Sequence, residues 1–144
     1  MSKSIKTEIV INASKEKVWE VLTDFDAYPD WNPFVRRLKG DLKAGEKLKI
    51  LLQNGNSQMA FKPTVLQVEP YKSFSWLGSL FVKGLFDGRH YFDIEELSPT
   101  QVLFKHGEEF SGLLSGMILK KVGESTRIGF VKMNEELKKR GEGV

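Results

Sequence analysis

Two histidines and one glutamate are the residues of this 144-residue chain best suited to proton chemistry. His90, His106 and Glu108 fall in two stretches that predict neighbouring strands, 85–97 and 101–110. An imidazole exchanges protons near neutral pH, and a carboxyl group beside it can share the task. The usual catalytic signatures are missing: there is no cysteine, no phosphate-binding glycine loop and no histidine pair at metal-binding spacing. A site would therefore have to be assembled from separate strands.

The turn at 98–100 determines how these two strands would pair. If Ser98-Pro99-Thr100 is a three-residue hairpin loop, Leu97 faces Gln101 and the numbers of paired residues add to 198. Alternation of side chains then puts three pairs on one face, the more apolar and therefore the inner one. The pairs are Ile94 with Phe104, Phe92 with His106, and His90 with Glu108.

Three interpretations of the His90, His106 and Glu108 cluster are open from the sequence. The groups could form a satisfied buried polar cluster that braces the sheet. They could instead orient or polarise a ligand in an apolar cavity, or carry out acid–base catalysis, although no nucleophile or oxyanion hole is recognisable. Because opposed β-carbons lie about 5 Å apart, His90 and Glu108 are expected to touch. We expect the carboxylate to outweigh burial and to raise the pKa of His90, so that Glu108→Gln lowers it.

The element that would cover this wall is a long C-terminal helix, from Phe110 to about Arg140. Its apolar residues recur every three or four positions, which is typical of an amphipathic helix. Three glycines interrupt the pattern, and they indicate a bend or a close approach by another part of the chain. The stripe comprises Leu119, Val122, Thr126, Phe130, Met133 and Leu137, and the glycines are Gly116, Gly123 and Gly129.

The rest of the chain predicts the surface on which this helix packs. A strand at 6–12 is followed by a short helix that Ser14 caps, and then by a proline-rich helical turn around Tyr28. About six consecutive strands with short turns follow, among them a hairpin at Asn54-Gly55-Asn56. Such an order predicts an α+β fold with an antiparallel sheet of about seven strands and helices on one face. No domain boundary appears, so residues 1–144 are expected to form one domain.

Composition excludes several classes of function. The chain has 22 basic and 19 acidic residues without a basic block, which argues against nucleic-acid binding. No signal peptide or membrane-spanning stretch is recognisable, so we expect a cytoplasmic protein without stable membrane association. No metal or cofactor motif is present, and we expect none to be bound.

The chain resembles the SRPBCC superfamily, the START-like and pollen-allergen-like helix-grip fold, and within it the polyketide cyclase/dehydrase-like branch. The resemblance implies a bent antiparallel sheet around the long helix, with an apolar cavity between them. The chain lacks the cysteines and paired histidines of the iron–sulfur hydroxylase members. The stretches that carry the resemblance are 9–14, 18–24, 28–33, 84–92 and 106–114.

On this interpretation we expect the chain to bind a small hydrophobic or amphipathic molecule, such as a lipid, a polyketide or an aromatic metabolite. The alternative is a polyketide cyclase or dehydratase that uses His90, His106 and Glu108 to move protons. For each apolar candidate, plain packing in the core is the competing role. The candidate lining residues are Trp31, Phe34, Trp76, Phe81, His90, Phe92, Phe104, His106, Glu108, Phe110, Leu114 and Ile118.

Overall fold

The computed structural model describes residues 3–80 and 84–143. The described residues form eight strands, three α-helices and a 3-10 turn at Phe25–Ala27. The strands are β1 (Lys3–Ile11), β2 (Val35–Lys39), β3 (Lys49–Asn54), β4 (Ser57–Phe61), β5 (Thr64–Glu69), β6 (Ser73–Leu80), β7 (Phe86–Ser98) and β8 (Gln101–Ser111). The helices are α1 (Lys15–Thr23), α2 (Tyr28–Trp31) and α3 (Ser115–Gly141).

Every strand pairing in the described residues is antiparallel, which confirms the predicted α+β architecture. The strands form a five-stranded sheet in the order β1-β8-β7-β6-β5 and a three-stranded sheet in the order β2-β3-β4. Pro63 separates β4 from β5, because a proline has no N–H to donate to a ladder. Backbone hydrogen bonds from Leu48 to Pro63 and from Val65 to Glu46, of 2.9 and 2.8 Å, join the two sheets.

The register of β7 against β8 confirms the three predicted pairs, Ile94 with Phe104, Phe92 with His106 and His90 with Glu108. The predicted three-residue loop is wrong. Ser98 pairs with Gln101, and an irregularity between Glu96 and Ser98 takes up the extra residue. The side chain of Leu97 is accordingly exposed. A bulge beside the turn thus leaves the rest of the ladder in the predicted register.

Helix α3 begins at Ser115, five residues later than predicted. Gly112 has φ +109°, a conformation that favours glycine, and it turns the chain out of β8 before the helix starts. The backbone N–H of Leu114 then donates to the carbonyl of Leu85 over 2.8 Å. No helix among the described residues is both long and apolar enough to cross a membrane.

The two halves of α3 pack differently. In the second half, Phe130, Met133 and Leu137 are fully buried against the sheet and α1. Phe34 packs so closely on this half that a β-carbon at Gly129 would overlap its ring, which confirms a close approach at one of the three glycines. The first half is less covered, and Met117 is 61% exposed. The second half of α3 thus fills the space between helix and sheet, and we call this the filled end.

Candidate functional site

A continuous series of hydrogen-bonded polar side chains, buried except for the half-buried Thr7, crosses the filled end. The Nε2 atoms of His90 and His106 lie 2.7 Å apart, and Nδ1 of His106 lies 2.9 Å from Oδ1 of Asn134. The amide nitrogen of Asn134 donates to Oγ1 of Thr7 over 2.8 Å, and that hydroxyl donates to the backbone carbonyl of His106 over 2.6 Å. These side chains, which we call the polar chain, thus connect strands β7, β8 and β1 with helix α3.

The direction of each hydrogen bond in this chain follows from its partners. The amide oxygen of Asn134 only accepts, so Nδ1 of His106 must carry a hydrogen. A neutral His106 then has its lone pair on Nε2 and accepts from Nε2–H of His90. In a neutral His90 this leaves the lone pair on Nδ1, which faces Oε1 of Glu108 at 3.6 Å.

Burial decides the charge of all three titratable groups. It lowers the pKa of His90 well below its ordinary value of 6.5, and the neighbouring His106 lowers that pKa further. Burial also lowers the pKa of His106 to about 3, although the hydrogen bond to Asn134 acts in the opposite direction. Burial raises the pKa of Glu108 from 4.5 to about 8. At neutral pH both imidazoles and most of the Glu108 carboxyl groups are therefore uncharged.

The predicted contact between His90 and Glu108 is confirmed, but the predicted rise in the pKa of His90 is wrong. The physical reason is the aromatic surroundings of the histidines. His106 stacks on Phe130 with ring centroids 4.2 Å apart, and His90 lies 4.7 Å from Phe92 and 5.1 Å from Trp76. These rings exclude the water that would solvate an imidazolium, and a neutral Glu108 supplies no compensating charge.

Glu108 is the one member of the His90, His106 and Glu108 cluster that reaches solvent, because 18% of its side chain is exposed against 2% for His90. Its carboxyl group lies over Gly88, where a β-carbon would overlap Oε2. Gly78 and Gly88 are opposite each other on β6 and β7, two positions beyond Trp76 and His90. Both glycines are covered by other side chains, Gly88 by the Glu108 carboxyl group and Gly78 by the ring of Phe61, 3.1 Å from where its β-carbon would be.

The first half of α3 contains two glycines, Gly116 and Gly123. A β-carbon at Gly123 would meet only the Cβ of Leu119 at 3.9 Å, so the space in front of Gly123 is open. Phe86 and Phe110 stack at 5.5 Å on the sheet. We call this region the open end and define it by Phe86, Gly88, Glu108 and Phe110 on the sheet and by Gly123 on α3. The half-buried Leu114 and Ile118, at the start of α3, are predicted to border it.

The architecture matches that of one protein family over almost the whole chain. The model of a family described as polyketide cyclase / dehydrase and lipid transport matches residues 2–140. The chain belongs to this family. The expected membership of the SRPBCC superfamily is thereby confirmed, as is the helix-grip fold.

Solved structures similar to this member of the family show the same fold at low identity. A START superfamily protein from Mycobacterium smegmatis is 19% identical with a TM-score of 0.72, over 95% of this chain and 97% of that one. The Zhui aromatase/cyclase from Streptomyces sp. R1128 is 11% identical with a TM-score of 0.76, over 99% and 94%. Norcoclaurine synthase from Thalictrum flavum, in complex with dopamine and hydroxybenzaldehyde, is 16% identical with a TM-score of 0.72, over 97% and 86%. The comparison with curated proteins gives no match.

The candidate lining residues of this family member lie in several different places. Phe34, Trp76, Phe92 and Phe104 are at most 2% exposed and fill the space between helix and sheet. Trp31 packs on Tyr28, with ring centroids 5.2 Å apart, beside a surface groove between α2 and α3. The half-buried candidates belong to the end of β8 and to the start of α3, and Phe81 lies outside the described residues. They are Glu108, Phe110, Leu114 and Ile118.

Sequence reasoning missed Asn134 and Thr7, which complete the polar chain. The position of each residue in the sequence indicated an inward-facing side chain. Asn134 follows Phe130 by four residues on the buried side of α3. Thr7 lies between Ile5 and Ile9 on the inner face of β1. Among residues 3–80 and 84–143 there is no group of three or more carboxylate and histidine side chains that could hold a metal ion. What the arrangement can do is present one neutral, partly exposed carboxyl group, backed by two neutral imidazoles, to a hydrogen-bonding partner.

Proposed function

We propose that this chain binds a small hydrophobic or amphipathic molecule at the open end. The observation that carries the proposal is the position of Glu108. Its carboxyl group is partly exposed, lies 3.6 Å from Nδ1 of the buried His90, and lies beside Phe110 on the same face of β8. A carboxyl group with a pKa of about 8 is protonated at neutral pH and donates a hydrogen bond to a ligand oxygen.

The glycines at the open end support the same proposal. Gly88 lets the Glu108 carboxyl group lie flat against β7, and Gly123 leaves space in front of the helix. A glycine inside a helix costs about 1 kcal/mol relative to alanine, so Gly123 weakens α3 at this position. Open space between a stacked aromatic pair and a helix is the kind of mostly apolar, concave site that small molecules occupy.

The proposal is tested by filling the space. Gly123→Leu should place a side chain in the open end without displacing any atom other than neighbouring mobile side chains. Binding of the neutral fluorescent probe N-phenyl-1-naphthylamine should weaken by roughly tenfold or more, whereas the melting temperature should stay the same or rise. The matched control is Ser125→Leu, because Ser125 is exposed on the same helix.

Two outcomes would overturn the proposal. If the wild-type protein does not bind the probe, the open end is not a binding site. If Gly123→Leu and Ser125→Leu leave probe binding equally unchanged, the probe binds elsewhere.

A second candidate function is acid–base catalysis of the cyclase or dehydratase kind. It is favoured by the 3.6 Å approach of the protonatable Glu108 to the lone pair of His90, since such a pair can exchange a proton with a substrate. The discriminating measurement is exchange of the α-protons of 4-phenylbutan-2-one for deuterium, followed by NMR. A binding protein gives the same rate for wild type and Glu108→Gln. A catalyst loses its acceleration in Glu108→Gln while still binding the ketone.

A further inference from the structure

Lys3 is a lysine on the inner face of the sheet. Residues of β1 alternate between half-buried and exposed, and Lys3 shares the half-buried side with Ile5, Thr7 and Ile9. Ile5 and Ile9 pack against the hydrophobic core, and Thr7 belongs to the polar chain. The side chain of Lys3 therefore points to the same space as Glu108, whereas Lys6 points to the opposite face.

The position of Lys3 places its ammonium group at the rim of the open end. Lys3 is directly opposite Phe110, and Ile5 is directly opposite Glu108, so Lys3 and Glu108 are diagonal neighbours with Cα atoms about 7–8 Å apart. On the helix side, a β-carbon at Gly116 would lie 3.4 Å from Cε and 3.8 Å from Nζ of Lys3. The lysine thus bridges from the sheet to the first turn of α3.

Lys3 has no anionic partner among residues 3–80 and 84–143, where no carboxylate oxygen lies within 4.0 Å of its ammonium group. A lysine that turns toward an apolar space without a carboxylate can pair with an anion supplied from outside. Its nearest acidic neighbour on the inner face, Glu108, is held neutral by burial and so does not repel such an anion.

We propose that the molecule bound at the open end is an amphipathic anion, whose headgroup pairs with the Lys3 ammonium group while its apolar part contacts Phe110 and Ile118. This inference rests on the proposed function and specifies its ligand class. The headgroup stays at the rim, where Lys3 is half exposed, and the apolar part extends toward Gly123. The neutral Glu108 carboxyl group donates to the headgroup or to an oxygen next to it.

The experiment compares three probes that share a ten-carbon chain and differ in charge: decanoate, 1-decanol and decyltrimethylammonium. Each is titrated as a competitor of N-phenyl-1-naphthylamine, with wild type and Lys3→Met. Wild type should prefer decanoate over 1-decanol by roughly tenfold, the size of a charge-assisted hydrogen bond at a partly exposed site. Lys3→Met should lose that preference and bind 1-decanol as wild type does. Lys6→Met, on the same strand but the opposite face, should behave as wild type.

A charge reversal gives an independent check, because Lys3→Glu should now favour decyltrimethylammonium over decanoate. The inference is overturned if Lys3→Met keeps the preference for decanoate, or if Lys6→Met loses it to the same extent. It is also overturned if 1-decanol and decanoate bind wild type equally well, a result that leaves the binding of apolar molecules intact. If neither the naphthylamine probe nor any decyl compound binds, the proposed function fails together with the inference.

Discussion

The Nε2 atoms of His90 and His106 face each other at 2.7 Å inside the protein, so one of the two nitrogens must offer a lone pair to the other. Two imidazolium ions cannot make this contact, because both nitrogens would carry hydrogens and both rings would carry a positive charge. Aromatic rings surround the pair and exclude water. The contact therefore requires at least one neutral imidazole, and burial, which lowers the pKa of both histidines, makes both of them neutral at pH 7. Several measurable properties follow.

Acid should destabilise the protein through this pair. The folded pKa values of both histidines lie below the ordinary 6.5, so the stability that depends on their neutrality is fully present above pH 6.5 and is lost as pH falls toward the folded values, about 3 for His106. His90→Gln keeps a hydrogen-bond donor for His106 but removes one titrating group. Urea unfolding should show a slope against pH that is shallower than wild type by up to about 1.4 kcal/mol per pH unit below pH 6. An unchanged slope would mean that His90 is protonated in the folded state.

Alkali should destabilise the protein through Glu108. Its folded pKa of about 8 lies above the ordinary 4.5, so its contribution is fully present below pH 4.5 and is lost as pH rises through 8. Between pH 6.5 and 8 Glu108 should lower the free energy of unfolding by roughly 2 kcal/mol, a decline partly offset by the histidines, which are still half protonated in the unfolded state at pH 6.5. The contribution of Glu108 is therefore the difference between wild type and Glu108→Gln. Glu108→Gln should remove this decline. Glu109→Gln, on the exposed face next to it, should retain it; a decline that persists in Glu108→Gln would show that the group responsible lies elsewhere.

Removing the amide group of Asn134 should lower the free energy of unfolding, because it leaves the polar chain incomplete. Asn134→Leu leaves Nδ1–H of His106 without an acceptor in a fully buried position, and Thr7 loses a donor. The expected loss in the free energy of unfolding is roughly 2–4 kcal/mol, measured by urea denaturation at pH 7. Glu135→Leu, at the next and exposed helix position, serves as the control and should cost much less. Equal stability of the two variants would argue that the polar chain does not brace the fold.

Phe104 and Phe110 should respond differently to truncation, although they lie on the same face of β8. Phe104 is fully buried, so Phe104→Ala should lower the free energy of unfolding by about 3–5 kcal/mol. Phe110 is half-buried at the open end, and Phe110→Ala should cost less stability but weaken binding of N-phenyl-1-naphthylamine. Thermal melts and probe titrations of both variants provide the test. If Phe110→Ala cost more stability and Phe104→Ala weakened probe binding more, the open end would lie at Phe104 instead.

The inner and outer faces of β7 and β8 could be predicted from the sequence because side chains alternate with a period of two. The predicted register of β7 and β8 is correct although the predicted loop is wrong, because the bulge at Leu97 takes the extra residue out of the ladder. The depth of burial of His90 could not be predicted, because the rings around it come from β6, β7 and α3. The hydrogen bond from Asn134 to Thr7 joins residues 127 positions apart, so no local sequence pattern could have predicted it. The contact between Phe34 and Gly129 likewise depends on tertiary packing.

The central claim, that a small molecule occupies the open end, is tested most directly by methyl NMR of the wild-type protein. Addition of N-phenyl-1-naphthylamine should shift the methyl resonances of Leu114 and Ile118 and give intermolecular nuclear Overhauser effects to them. The methyl groups of Ile11 and Leu137, which are fully buried at the filled end, should keep their positions. Shifts confined to Ile11 and Leu137, or no shift at any of these methyl groups at saturating probe, would contradict the account.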